Sequence, residues 1–142
     1  MTFKESIKTC FNKYATFNGR ASRSEYWFWT LFLILAELVI WFGALMLFGG
    51  MGASVGGAAD PYGAAGGALG GMIVGGGIAM ILIFIFALII ILPTLAVTVR
   101  RLHDSNKSGW FLLLYIVPFV GPLVIFVFML LPSTEGANNF GS

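Results

Sequence analysis

A chain of 142 residues that is 58% hydrophobic and only 10% charged, with a mean hydropathy of +0.93, falls in the membrane class and outside the soluble globular range. Its long apolar runs exclude a soluble nucleic-acid binder despite the net charge of +2. One cysteine, Cys10, excludes an internal disulfide, and a single histidine with scattered carboxylates lacks the ligand spacing of a zinc site.

Residues 1–17 place Phe3, Ile7, Cys10, Phe11, Tyr14 and Phe17 at steps of three and four, with Lys4, Glu5, Lys8, Asn12 and Lys13 on the other face. This is an amphipathic helix too short to span. Its basic face suits the membrane surface, with the apolar stripe sunk into the acyl boundary; packing on the protein's own spans is the alternative. Asn18-Gly19 then signals a turn, and Ser22 followed by Glu25 is a capping-box pattern that starts the first span at Ser22.

The first span covers 22–48, with Tyr26, Trp27 and Trp29 at headgroup depth. Glu37 stands at its midpoint. A carboxylate there costs roughly 2.5–3.5 kcal/mol, so it is expected to be protonated, paired or turned toward other helices, as a relay site or as a neutral acid bonded to Thr94, Thr98 or Tyr115. Residues 49–70 read as a glycine-rich outer loop, because 13 of the 19 glycines lie between 49 and 77 and Asp60-Pro61 marks a turn. The second span covers 71–99. On it Gly71, Gly75 and Ala79 repeat every four residues, the pattern of a close helix contact or a dimer face.

Residues 110–131 form a third apolar run, interrupted by Pro118 and Gly121-Pro122. Lysine and arginine are distributed five before the first span, none in the outer loop, three in the 100–109 loop and none in the tail. That alternation predicts three spans, with the N-terminus and the 100–109 loop cytoplasmic and the tail, 132–142, outside. A kinked third span fits it. A re-entrant turn at the same prolines would return the tail to the cytoplasm.

The 100–109 loop reads RRLHDSNKSG and gathers Arg100, Arg101, His103, Asp104 and Lys107. His103, Asp104 and a serine supply the residue types of a catalytic dyad, but adjacency on a loop does not give the geometry of an oriented base. Two other readings are stronger. Cross-pairing of Arg20 or Arg23 with Asp104, and of Arg100 or Arg101 with Glu25, would fasten the spans together. The excess positive charge could instead hold a phosphate or an anionic lipid headgroup.

GRASRSEYW before the first span, RRLHDSNKSGW before the last and PSTEGANNFG after it resemble the signatures of the YhaH/YhaI-like family, small bacterial inner-membrane proteins classified as a domain of unknown function. The similarity covers almost the whole chain and rests on Gly19, Arg20, Arg23, Glu25, Trp27, Arg100, Arg101, Leu102, His103, Asp104, Gly109, Trp110, Gly136 and Asn138. It implies an integral bacterial inner-membrane protein and carries over no catalytic residue. The glycine-rich connection is longer and less polar than the resemblance leads one to expect.

The expectation is therefore an all-α membrane protein of one domain: an interfacial helix, then three transmembrane helices, the last kinked or broken at Pro118 and Gly121-Pro122. It is expected to be no enzyme and to need no cofactor or metal. Its expected partners are anionic lipids, with a second copy or another membrane protein also possible. The rival readings are a small transporter or channel subunit using Glu37 and a lipid-headgroup enzyme using His103 and Asp104.

Overall fold

The computed structural model describes residues 1–56 and 61–141. Helix α1 covers Phe3–Asn12, α2 Arg23–Gly56 and α3 Pro61–Asp104; a 3-10 helix at Gly109–Ile116 and α4 at Val120–Leu130 complete the order. Among the described residues the only β feature is a single bridge between Asn138 and Gly141. Two helical stretches, Arg23–Gly50 and Leu69–Asp104, are long and apolar enough to cross a membrane. The chain is a helical membrane protein. It divides into two compact units, one of Met1–Phe32 with Ile90–Ser142 and one of Leu33–Ile89.

Helix α1 starts with a full capping box between Thr2 and Glu5 and stops at Asn12, five residues before the expected end at 17. The chain has to leave the helix there to reach the turn at Gly19, whose φ is +90°. Its inward face differs from the expected stripe. Ser6 and Cys10 are fully buried, while Phe3 and Phe11 lie half-exposed on the flank. Edge-to-face contacts carry them onto α2, Phe3 with Phe28 at 6.0 Å and Phe11 with Trp29 at 5.3 Å. The stripe therefore packs in part on the protein itself.

The Ser22 hydroxyl accepts the amide of Glu25 at 3.2 Å, as a helix cap should. Only that half of the expected capping box forms, because the Glu25 carboxylate is drawn away to Arg100. The loop assigned to 49–70 is corrected more heavily: residues 49–56 continue α2 and residues 61–70 already belong to α3. Glycine's helix penalty, about 1 kcal/mol per residue, is outweighed where backbone groups have no water to bond instead. Pro61 takes the first helical position, where a missing amide costs nothing. Asp60 lies outside the described residues.

Within the Leu33–Ile89 unit the small-residue face meets α2. A Cβ on Gly75 would stand 2.9 Å from the Ala44 carbonyl oxygen and 3.0 Å from the Phe48 Cβ. Ala44 and Ala79 are buried beside this contact and Gly71, a turn earlier, is half-buried. The close approach serves two helices of one chain. Glu37 is exposed on α2, and among the described residues no hydrogen bond or ion pair reaches it. Of the three hydroxyls expected to meet it, two bond elsewhere: Thr94 accepts the Trp29 indole at 3.1 Å and Thr98 donates to the Thr94 carbonyl at 2.7 Å.

The third apolar run is broken rather than kinked. Its 3-10 helix and α4 pack against each other, joined by a turn in which Val117 donates to the Leu114 carbonyl, Val120 to Pro118 and Gly121 to Val117. Phe119 sits in this turn with φ of +64°, a costly conformation for a bulky residue. Leu102 of α3, Ile125 and Met129 form a buried cluster, with Tyr26, Trp27, Leu112, Leu114 and Phe128 around it. The run is thus a hairpin laid on the start of α2 and the end of α3.

Candidate functional site

Arg100 to Asp104 form the last turn of α3 rather than a loop, so their side chains are fixed by helix geometry. Five charged residues there, in the segment before α2 and in its first turn are at most intermediate in exposure: Arg20, Glu25, Arg100, Arg101 and Asp104. Of the alternatives expected, Asp104 takes Arg20 and not Arg23, and Glu25 takes Arg100 and not Arg101. The Arg20 Nε donates to Asp104 Oδ1 at 2.9 Å, and the Arg100 Nη1 donates to Glu25 Oε1 at 2.6 Å. The Ala21 amide also donates to the Arg100 carbonyl at 3.0 Å.

Asp104 is the hub. Its second oxygen, Oδ2, accepts from Arg101 Nη1 at 2.5 Å and from the Ser133 hydroxyl. Its own carbonyl accepts the amide and the hydroxyl of Thr134 at 2.9 and 3.0 Å. The tail therefore closes on the cluster, at the same end of α3 as the 100–109 segment, where a third span followed by an outer tail would have carried it away. Charge alternation does not register such a fold, because a run of span length can double back without altering any loop's charge.

The other Nη donors of Arg20 and Arg101 are spent on carbonyl oxygens. Arg20 reaches Gly136 at 2.6 Å and Thr134 at 2.7 Å. Arg101 reaches the Met129 carbonyl at 3.3 Å and that of Leu131. Those two carbonyls close α4, where the helix dipole favours a cation. Partial charges of the main chain thus balance the arginines that the two carboxylates leave over. Arg100 stays fully buried with its Nε and Nη2 unpartnered, and the Arg101 Nε is likewise unpartnered.

His103 does not form a dyad with Asp104. Its Nδ1 lies 3.2 Å from the Gly19 carbonyl, its ring stacks flat on Phe140 at 4.0 Å, and its own carbonyl accepts from Asn138 at 2.8 Å. Ser105 donates to the Leu102 carbonyl and Ser108 caps the 3-10 helix through Trp110. Neither Ser105 nor Ser108 is bonded to His103 or Asp104. Lys107 is placed over the Phe128 ring at 5.7 Å, and Arg23 is exposed. A cavity of about 280 Å³ is lined by Ser108, Trp110, Phe111, Leu113 and Leu114, none of them in the cluster. Among the described residues no group of three potential metal ligands occurs.

Sequence reasoning missed Ser133, Thr134 and Phe140, which complete the cluster. The signal was present in PSTEGANNFG, a polar ten-residue stretch too specific for a solvated end. Cys10 was also missed as a neighbour of the Glu25–Arg100 pair. Burial pushes its thiol up to about 11, with the Glu25 carboxylate adding to the rise and Arg100 opposing it. Because the folded-state value lies above the unfolded value of 9.0, this contribution to stability is complete below pH 9 and lost as pH rises through 11. Native protein is accordingly expected to resist thiol alkylation at pH 8 and to react once denatured. Cys10→Ala should lessen the wild type's fall in melting temperature between pH 9 and 11.

Residues 14–142 match the family described as Protein of unknown function (DUF805). The inner membrane protein YhaI of Escherichia coli K12 is 34% identical over 129 residues, 91% of this chain and 86% of that protein. The inner membrane protein YhaH of the same strain is 36% identical over 128 residues, 90% and 86% of the respective chains. No solved structure matches. With a family match along nearly all of its length, and relatives similar across most of theirs, the chain belongs to the DUF805 family.

Proposed function

We propose that this is a non-enzymatic bacterial inner-membrane protein in which the Arg20, Arg101 and Asp104 cluster, with the Glu25–Arg100 pair, latches the inner ends of the bundle. A separate set of exposed basic residues meets anionic lipid. The observation that carries the reading is the convergence on one carboxylate of Arg20 from before α2, Arg101 from α3 and Ser133 from the tail. An arrangement in which both carboxylates are held by arginines of the same chain suits holding rather than turnover. The relatives' names and the positive-inside distribution support the inner membrane with the cluster on the cytoplasmic face.

The lipid-facing part falls to other residues. Lys4 and Lys8 on α1 and Lys13 at its C-terminal cap, with Arg23, are exposed, and each basic side chain near an anionic surface contributes about 1 kcal/mol. Purified full-length protein in nanodiscs of mixed phosphatidylglycerol and phosphatidylcholine is expected to enrich phosphatidylglycerol. The combined Lys4, Lys8, Lys13 and Arg23→Gln variant should lose that enrichment, whereas Arg20→Ala lowers the melting temperature and leaves it unchanged. A wild type indifferent to headgroup charge would refute the lipid part.

A further inference from the structure

The hairpin of residues 109–131 has both ends at one level. At its start, a Cβ on Gly109 would stand 2.9 Å from the Val99 side chain and 3.5 Å from His103 Nε2. At its end, Arg101 holds the Leu131 carbonyl and Asp104 holds Ser133. Its two legs match in length. The 8-residue 3-10 leg, rising about 2 Å per residue, and the 11-residue α4 leg, rising about 1.5 Å per residue, each reach about 16 Å. That is half the roughly 30 Å hydrocarbon thickness.

The hairpin rises in the same direction as α2. Phe126, five residues from the Leu131 end, meets Trp27, four residues into α2, with ring centroids 5.9 Å apart. Its tip is apolar and uncovered: Ile116 is 78% exposed and Phe119 91%, with Val117 and Val120 also exposed. Water would penalise such a tip, and acyl chains would not. Non-helical backbone at membrane depth is tolerated only where its polar groups are satisfied, and the turn bonds of Val117, Val120 and Gly121 are internal.

We propose that residues 109–131 form a re-entrant hairpin that inserts its Ile116–Val120 tip among the acyl chains of one leaflet and returns to the face it left. The occupant of the tip's surface is lipid tail. The protein then crosses the bilayer twice, through α2 and α3, and its N-terminal segment and tail share one side. Which side that is rests on the orientation proposed above, but the hairpin itself does not.

The test uses the full chain, in which the native Cys10 is buried, with one added cysteine at a time: Thr16→Cys, Ala137→Cys and Phe119→Cys. A membrane-impermeant maleimide is applied to right-side-out and inside-out vesicles. Positions 16 and 137 are expected to label in the same vesicle orientation and position 119 in neither. A fluorophore attached at 119 in detergent, before reconstitution, should be quenched most by phospholipids carrying a nitroxide near the chain end. As a measurement without substitution, the chain with green fluorescent protein fused after residue 142 should fluoresce inside cells. Labelling of 16 and 137 from opposite sides overturns the hairpin, as does labelling of 119 from either aqueous side. Labelling of 16 and 137 together from the outer face, with the fusion dark, leaves the hairpin standing and refutes only the orientation.

Discussion

Asp104→Ala is expected to destabilise the purified protein by about 3–5 kcal/mol, the range for removing one partner of a buried ion pair. The carboxylate is 7% exposed and accepts from Arg20, Arg101 and Ser133. Its loss leaves two guanidinium groups facing each other without a counter-charge, and Ser133 without its acceptor. The tail, which Asp104 also holds through its carbonyl, should become accessible to protease at residues 132–141. Arg101→Ala is expected to be severe too, since Arg101 is fully buried against the end of α4. The double variant should cost less than the sum of the two, because the second change removes a charge that the first had stranded. Thermal unfolding in detergent of the four proteins of this cycle measures the coupling, and strict additivity would show that the pair does not hold the bundle.

A second large effect belongs to a residue without a side chain. At Gly121 an added Cβ would lie 1.6 Å from the carbonyl oxygen of Leu114 and 2.5 Å from its carbon. Both obstacles are backbone, so no rotamer change relieves the clash. Gly121→Val is expected to cost more than the 1–3 kcal/mol or so typical of overpacking, because the two legs must part and uncover Leu102, Ile125 and Met129. Loss of the folded fraction in detergent size-exclusion chromatography is the readout. Gly77→Ala serves as the control, since that position has open space.

Much of the architecture was legible before any coordinates. The apolar runs identified α2 and α3 because lipid solvation leaves a composition signal too long to arise in a small soluble core. The charged residues marked the cluster because arginine beside a hydrophobic boundary must find acceptors. What composition could not say was which acceptors, and main-chain carbonyls leave no mark in sequence. Arg20 and Arg101 illustrate the gap, since four of their bonds end on backbone oxygen. The glycine-rich stretch misled for a related reason: propensities measured in water understate helix in lipid. Glu37 was placed correctly at mid-helix but given partners that Trp29 and the α3 backbone had already engaged.

The manner in which Arg20 grips the tail has an evolutionary corollary. A guanidinium that reads oxygen atoms of the peptide chain is blind to the identity of the residues that carry them. Glu135, Ala137 and Asn139 are all exposed and are free to drift among homologues. Gly136, whose φ of +69° turns its carbonyl into reach, is under a constraint of shape that substitution would breach. Variation in this segment should therefore be tolerant at 135, 137 and 139 and strict at Gly136 for its conformation, while Thr134, Asn138 and Phe140 are held by their side-chain contacts to Asp104 and His103.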